Sequence, residues 1–130
     1  MKVGFTGTQQ GMSQRQKEGF TRLILSLKMI EFHHGDCIGA DSEAHDIVRN
    51  MNRNTEIVIH PPSNSSKRGF KKGDLVRKEL PYLERNMLIV QETRLLVTTP
   101  FSLQEELRSG TWATIRYARK MGKPVLILDR

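Results

Sequence analysis

The chain has 130 residues, of which 37% are hydrophobic, and a chain of this length can bury a substantial core. Lysine and arginine number 21 against 14 aspartate and glutamate, so the formal net charge of +7 favours anionic partners such as nucleotides, nucleic acid or phosphorylated metabolites. The single cysteine, Cys37, excludes an intrachain disulfide and a cysteine-rich zinc site.

The apolar residues are distributed in short runs, none of which approaches the roughly 20 residues of a membrane span. The first residues, Met1–Phe5, lack the apolar region of a signal peptide. We therefore expect a cytoplasmic protein without a membrane partner, whose mature form is the whole chain. We expect one domain over residues 1–130.

Five short apolar runs predict the strands of a sheet. The runs are continuous rather than alternating, which is typical of parallel strands that are buried on both faces. The predicted strands are residues 2–6, 30–34, 56–59, 94–98 and 125–128.

Four helical segments separate these strands. Ser13 is predicted to cap the first helix, with Gln16 as its partner in a capping box. Asp41 is predicted to cap the second helix, and Asn52 and Asn54 to close it. The third and fourth helices are predicted at residues 82–91 and 110–121, the latter ending in the stop signal of residues 122–124.

The alternation of strands and helices predicts an α/β fold with a doubly wound parallel sheet of about five strands flanked by helices. Such sheets bind ligands beyond the carboxyl ends of the strands, where the strand order reverses. Loops that start at Gly7, Gly35 and Thr99 follow strands at this edge. Their convergence predicts a cleft for a phosphate or a nucleotide.

The segment Arg108–Trp112 lies between the fourth strand and the last helix. A helix N-terminus offers unpaired N–H groups and partial positive charge to an anion. Gly110 would let a ligand approach the backbone, and the hydroxyls of Ser109 and Thr111 would add hydrogen bonds. The alternative is that Ser109 acts only as an N-cap.

One long irregular stretch is predicted over residues 61–80. A loop of this length in a compact domain is usually functional or mobile. It carries a cluster of cations, which are Lys67, Arg68, Lys71 and Lys72. A ligand-binding lid and a solvated basic surface are both compatible with this composition.

Four short motifs in this order resemble the SLOG superfamily. They are Gly4–Thr8, Gly35–Asp41 followed by Ala44, Glu84–Asn86, and Ser109–Thr111. The superfamily includes the DNA-processing A proteins, the Lonely Guy phosphoribohydrolases and small YspA-type proteins predicted to bind nucleotides. The resemblance covers nearly the whole chain and implies a Rossmann-like fold that often forms homo-oligomers.

The resemblance also implies a ligand-binding set. The first loop would approach the ligand, the second would frame its ribose or base, and the start of the last helix would hold phosphate. Arg85 matches an arginine in the active site of the phosphoribohydrolases. The implied ligand-binding residues are Gly7, Thr8, Gly35, Asp36, Gly39, Asp41, Arg85, Asn86, Ser109, Gly110 and Thr111.

One departure from the phosphoribohydrolases concerns catalysis. Their Pro-Gly-Gly-x-Gly-Thr-x-x-Glu motif is altered here, because eight residues separate Pro100 from Ser109 and the position of the Glu is Thr114. We therefore expect binding of a nucleotide or nucleotide-derived signal, which the protein would sense or sequester, as in phage–host conflict.

Two alternatives remain. In the first, the protein is an N-glycosidase on nucleoside monophosphates, with Arg85 and Asp36 as catalytic candidates and Glu105 or Glu106 as further replacements for the missing carboxylate. In the second, the basic stretch binds single-stranded DNA, although the chain has few aromatic residues on which bases could stack.

Several candidates also have structural interpretations. Asp36 could contact ribose or transfer a proton, or it could form an Asx-type turn. Arg85 could bind phosphate through its guanidinium fork, or it could pair with Glu84 or Glu79. Asn86 could brace the loops.

No metal or cofactor is expected. His33, His34, His45 and His60 do not have a His-x-x-x-His spacing or a cysteine partner. Cys37 is interpreted as a buried thiol, because no neighbour in the sequence argues for a lowered pKa. Trp112 could stack on a base or pack against the sheet or a neighbouring subunit.

Overall fold

The sheet at the centre of the computed structural model is entirely parallel, and the structure describes residues 1–51 and 54–130. In these residues the sheet has six strands in the order β4-β3-β2-β1-β5-β6, so the strand order reverses between β1 and β5. The strands are β1 (Lys2–Gly7), β2 (Glu31–His34), β3 (Glu56–Ile59), β4 (Leu75–Val76), β5 (Leu95–Thr99) and β6 (Val125–Ile127). The predicted doubly wound α/β fold is confirmed.

Strand β4 was not predicted, because it lies in the stretch 61–80 that we expected to be irregular. The strand has only two residues, Leu75 and Val76, both of them exposed, so it has no apolar run for a sequence to reveal. Tertiary hydrogen bonds hold it instead. The Asp74 carboxylate accepts from the Ile57 N–H at 2.8 Å, and the Arg77 N–H donates to the β3 backbone at 2.8 Å.

Four helices cover the sheet within the described residues. They are α1 (Gln14–Ser26), α2 (Ala40–Met51), α3 (Tyr82–Glu92) and α4 (Gly110–Lys120). Helices α1 and α2 pack together, as do α3 and α4. No helix in the described ranges has the length and apolarity needed to cross a lipid bilayer.

The two helix pairs cover opposite faces of the sheet, because successive side chains of a strand point to opposite faces. Phe5 of β1 packs with Phe20 of α1 and Phe32 of β2, with ring centroids 5.3 to 5.9 Å apart. On the other face, Leu96 of β5 packs with Ile89 of α3 in a second cluster. Both clusters are fully buried, so the sheet has a core on each side.

The start of helix α1 follows the prediction, whereas the start of α2 differs from it. The Ser13 hydroxyl accepts from the Gln16 N–H at 3.1 Å, and the Gln16 side chain accepts from the Ser13 N–H at 3.0 Å, which completes the capping box. Helix α2 already begins at Ala40, and the Asp41 side chain accepts from the Cys37 N–H at 3.1 Å. The prediction that Asp41 caps this helix is therefore wrong.

Gly39 explains why α2 starts before Asp41. Its φ of 84° lies in the left-handed region, and a Cβ there would collide with the backbone of Gln9. The Gly39 carbonyl accepts from the Glu43 N–H at 3.0 Å. The glycine thus turns the chain directly into the helix. At the other end α2 is described as far as Met51; Asn54 lies in a turn, and Asn52 lies outside the described residues.

Adjacent residues of α1 provide a test of this packing. Ile24 is 3% exposed and Leu25 is 62% exposed. We expect Ile24→Ala to lower the free energy of unfolding by about 2–5 kcal/mol, because it leaves a cavity in the core. Leu25→Ala should change it by less than about 0.5 kcal/mol. Denaturant unfolding would measure both, and equal losses would contradict the helix orientation.

Candidate functional site

A cleft of about 620 Å³ opens at the carboxyl edge of the sheet, next to the point where the strand order reverses. Its walls come from the loops after β1, β2 and β5, the segment after β3, and the starts of α3 and α4. The lining residues include Gly7, Thr8, Lys67, Tyr82, Phe101, Glu106, Arg108, Ser109, Gly110, Thr111 and Trp112. The loops that the sequence predicted to converge here therefore meet at one cleft.

The start of α4 forms one wall of this cleft. The Ser109 hydroxyl accepts from the Trp112 N–H at 3.2 Å, so Ser109 is the N-cap of the helix and also lines the cleft. A Cβ on Gly110 would collide with the ring of Tyr82. The glycine is therefore needed for α3 to pack against the start of α4, in addition to any ligand contact.

The loop after β1 forms the floor. The Thr8 N–H donates to the Thr99 carbonyl at 3.1 Å, and the Thr8 carbonyl accepts from the Ala40 N–H at 3.0 Å. A Cβ on Gly7 would collide with Ala40 and Thr99. Gly7 and Thr8 thus join the ends of β1 and β5 to the start of α2 in close contact.

Charged and aromatic side chains give the cleft its character. Lys67 and Arg108 contribute positive charge, and Glu106 is the acidic residue among those that line the cleft. Tyr82 and Phe101 are half-exposed. The buried Trp112 donates its indole N–H to the Ser102 carbonyl at 3.0 Å, so it packs against the neighbouring loop.

Asp36 does not line the cleft. Asp36 is fully buried, and its backbone φ is 56°. Its carboxylate accepts hydrogen bonds from Arg68 Nε at 2.9 Å and from the Lys71 N–H at 3.0 Å. The Gly69 N–H donates to its carbonyl at 2.6 Å. These bonds fasten the segment after β3 onto the loop after β2. Asp36 therefore supports the wall that carries Lys67.

Arg85 also lies behind the cleft, with 2% of its surface exposed. Its Nη1 donates to the carbonyls of Gly35 and, at 3.1 Å, His60, and its guanidinium lies 4.6 Å from the ring centroid of Tyr82. Among the described residues, no carboxylate lies within 4.0 Å of the guanidinium. The alternative that Arg85 pairs with Glu84 or Glu79 is thus wrong.

Asn86 follows Arg85 on the same buried turn. Its Nδ2 and the Arg85 Nε lack a hydrogen-bond partner within the described parts of the chain. Gly35 lies directly against the guanidinium of Arg85, and a Cβ at this position would collide with it. Within the Glu84–Asn86 motif, Arg85 therefore organises the ends of β2 and β3 beneath the cleft.

Asp41 and Cys37 lie close together in the loop after β2. Burial raises the pKa of Asp41 to about 6, although the positive charge of Arg85 opposes the shift. Burial likewise raises the pKa of the Cys37 thiol, which lines the cleft. A thiol with a raised pKa is a poor nucleophile at neutral pH. This agrees with the interpretation of Cys37 as a buried thiol.

The carboxylates proposed for glycosidic cleavage are distributed unevenly. Thr114, at the position of the family's Glu, donates its hydroxyl to the Gly110 carbonyl at 2.9 Å. Glu105 pairs with Arg116 at 2.9 Å, and Asp36 pairs with Arg68. Glu106 is the member of the proposed set that lines the cleft.

The basic stretch is partly neutralised. Lys71 Nζ lies 3.0 Å from the Asp46 carboxylate, and Arg68 pairs with both Asp36 and Glu79. The Ile38 N–H donates to the Lys67 carbonyl at 2.9 Å, which holds this segment against the loop after β2. These hydrogen bonds and ion pairs hold the stretch in place, and its residue Lys67 lines the cleft.

Four histidines form two buried pairs away from the cleft lining. His34 Nε2 lies 2.9 Å from His45 Nδ1 beneath α2. On the other face of the sheet, His33 Nδ1 lies 2.8 Å from His60 Nε2. Burial lowers the pKa of all four, that of His60 to about 3, so the rings are neutral at physiological pH.

The raised pKa of Asp41 predicts a pH-dependent stability. The folded protein binds this proton more tightly than the unfolded chain, so folding is penalised as the pH rises from about 4 to about 6. We expect wild type to lose roughly 3 kcal/mol relative to Asp41→Asn over this window. Denaturant unfolding at each pH would measure the difference, with Asp46→Asn on the same helix as control. A pH-independent difference would contradict the raised pKa.

Comparison with known proteins identifies the fold. No protein-family model and no curated protein sequence matches the chain. A solved structure of the molybdenum cofactor binding protein from the phototrophic bacterium Rippkaea orientalis superimposes with a TM-score of 0.74 at 18% identity, covering 99% of this chain and 76% of that one. The structural-genomics target TM1055 gives a TM-score of 0.68 at 17% identity, covering 95% and 71%.

A third solved structure is DNA processing protein A from Streptococcus pneumoniae. It superimposes with a TM-score of 0.72 at 19% identity, covering 97% of this chain and 49% of that one. The present chain thus spans about half the length of this neighbour. The three likenesses concern the fold alone, and they agree with the Rossmann-like α/β fold that the sequence predicted.

Proposed function

We propose that the cleft binds a nucleotide or a nucleotide-derived small molecule, with a phosphate at the start of α4. The observation that carries the proposal is the position of Ser109–Thr111, which begin a helix and line a cleft at the reversal of strand order. Helix N-termini bind phosphate through free N–H groups and the helix dipole. In parallel sheets this edge is the usual place for such ligands.

The size and charge of the cleft support this ligand class. A volume of about 620 Å³ lies within the range of roughly 300–1,000 Å³ typical of small-molecule sites. Lys67 and Arg108 supply cations on two walls. The rings of Tyr82 and Phe101 are half-exposed, so a base could contact them, although a guanidinium, of Arg85 and Arg130 respectively, already lies over one face of each ring.

The predicted ligand-binding residues fall into two groups with different roles. Gly7, Thr8, Ser109, Gly110 and Thr111 would contact the ligand, since they line the cleft. The remaining members would shape the walls from behind, since they do not line it. They are Gly35, Asp36, Gly39, Asp41, Arg85 and Asn86.

Binding without turnover fits this site best, so the protein would sense or sequester its ligand. The position of the family's catalytic Glu is held by Thr114, whose hydroxyl is bonded within the helix. Two structural neighbours are named as a molybdenum cofactor binding protein and a DNA processing protein, which supports a ligand-binding role and leaves the specific ligand open.

Gentle purification followed by denaturation and mass spectrometry of the released small molecules tests the proposal. We expect an intact nucleotide or nucleotide derivative. If the purified protein releases no nucleotide, a thermal-shift screen of mononucleotides, dinucleotides and cyclic nucleotides tests the proposal instead. A protein that carries no nucleotide and is not stabilised by any at millimolar concentration would contradict the proposal.

A charge variant tests the position of the phosphate. Arg108 is exposed at the cleft, so Arg108→Gln should leave the fold intact. We expect it to weaken nucleotide binding by about tenfold or more, since a hydrogen bond to a charged group contributes about 1.5–3 kcal/mol. Arg22→Gln, on the exposed side of α1, is the matched control. Equal affinities in the two variants would place the phosphate elsewhere.

The presence of Glu106 in the cleft keeps a second candidate, the N-glycosidase, open to test. Incubation with nucleoside monophosphates and chromatography for free base would detect cleavage. We expect no base release. Release that is lost in Glu106→Gln and retained in Glu105→Gln would instead establish glycosidase activity. Arg85→Ala is unsuitable for this test, because Arg85 is buried and holds two strand ends together.

A further inference from the structure

The histidine pair on the α3 face of the sheet has a carboxylate beside it. His33 Nδ1 and His60 Nε2 are 2.8 Å apart, and Glu92 Oε1 lies 3.9 Å from the first and 4.0 Å from the second. The three side chains come from β2, the residue after β3 and the last turn of α3. Two imidazole nitrogens and a carboxylate oxygen thus converge on one point.

A second carboxylate fixes the orientation of His33. Glu31 Oε1 lies 2.8 Å from His33 Nε2. An ionised carboxylate only accepts hydrogen bonds, so Nε2 carries the hydrogen and Nδ1 presents its lone pair towards His60 and Glu92. A carboxylate behind a histidine in this way is the usual support of a metal-binding imidazole.

The other histidine can present its lone pair as well. In the hydrogen-bonded pair, His60 Nε2 donates to His33 Nδ1. The His60 Nδ1 is buried and has no hydrogen-bond partner among the described residues. No partner at Nδ1 fixes the present tautomer, so the hydrogen of the neutral ring can move to Nδ1 when Nε2 binds an ion.

The guanidinium of Arg77 occupies the open side of the cluster. The Arg77 guanidinium donates to Glu92 Oε1 from Nη2 at 2.8 Å and from Nε at 3.2 Å. The Arg77 side chain is 42% exposed and that of Glu92 is 28% exposed, whereas both imidazoles are buried. Arg77 can thus swing into solvent while the histidines stay in place.

We propose that His33, His60 and Glu92 bind one divalent metal ion of the zinc class, which replaces the guanidinium of Arg77 at Glu92. Two histidines and one glutamate are a known ligand set for Zn²⁺, which leaves a fourth position for water. The fourth position would face the solvent from which Arg77 approaches. The ion would tie β2, the end of β3 and α3 together.

The geometry requires only side-chain adjustment. Bonds of about 2.0–2.1 Å in a tetrahedral site place ligand atoms about 3.3 Å apart. The present separations of 2.8, 3.9 and 4.0 Å lie on either side of that value. The histidine pair would open and Glu92 would move inwards, without a change in the sheet.

This site is separate from the cleft proposed for nucleotides, because none of the three ligands lines that cleft. The sequence did not indicate it, since the ligands are 27 and 32 residues apart and share no helix. The other buried pair, His34 and His45, has no carboxylate in a comparable cluster within the described residues. That pair is therefore a natural control.

Metal titration of the tag-free full chain, after removal of bound ions with a chelator, tests the proposal. Calorimetry with Zn²⁺ should show one ion per chain, and Co²⁺ should give the visible absorption of a low-coordinate nitrogen and oxygen site. Glu92→Gln should weaken binding by at least the 10–100-fold that loss of a supporting residue costs. Glu84→Gln, an exposed position on the same helix, is the matched control.

Arg77→Ala should change the metal affinity in the opposite direction to Glu92→Gln. Because Arg77 competes with the ion for Glu92, its removal should tighten metal binding, a result that a purely structural ion pair would not produce. His60→Gln should abolish binding and His45→Gln should preserve it. Should the His60 variant fail to fold, Glu92→Gln and Arg77→Ala still decide the question. Absence of binding at one ion per chain, or unchanged affinity in both of these variants, would overturn the proposal.

Discussion

The buried guanidinium of Arg85 is the interaction on which the candidate site depends. It donates to backbone carbonyls at the ends of β2 and β3 and lies over the ring of Tyr82, which in turn packs against Gly110 at the start of α4. Three walls of the cleft are thereby linked through one side chain. A charge buried this deeply is costly unless it is hydrogen-bonded, and truncating it would leave two carbonyls without their donor. The conformation of the cleft and the burial of Arg85 are thus coupled.

Much of the fold could be predicted from the sequence because its signals are local. Continuous apolar runs marked five strands to within two residues, and the capping box of Ser13 and Gln16 marked the start of α1. Strand β4 could not be found in this way, since its two exposed residues are held by Asp74 and by the β3 backbone. The start of α2 was misplaced for a related reason: Asp41 resembles a cap, but the contact between Gly39 and Gln9 decides where the helix begins.

The residues of the candidate site likewise include some that could be predicted from the sequence and some that could not. Gly7, Thr8 and the segment Ser109–Thr111 were recognisable because loops after parallel strands meet at one edge. The positions of Asp36 and Arg85 behind the cleft were not, because they depend on partners 25 to 50 residues away. A polar motif next to a predicted cleft is compatible with ligand contact and with structural support alike. Only the burial of each side chain distinguishes the two, and local sequence carries little information about it.

The short strand β4 has a consequence for the behaviour of the protein in concentrated solution. A sheet edge presents unpaired N–H and carbonyl groups on which a second chain can add a strand. Here the outer edge offers two residues, Leu75 and Val76, between Asp74 and Arg77. An incoming strand would find too few backbone groups to pair with and would have to approach a charge at each end. The β4 edge is therefore protected against edge-to-edge aggregation, even though its apolar side chains are exposed.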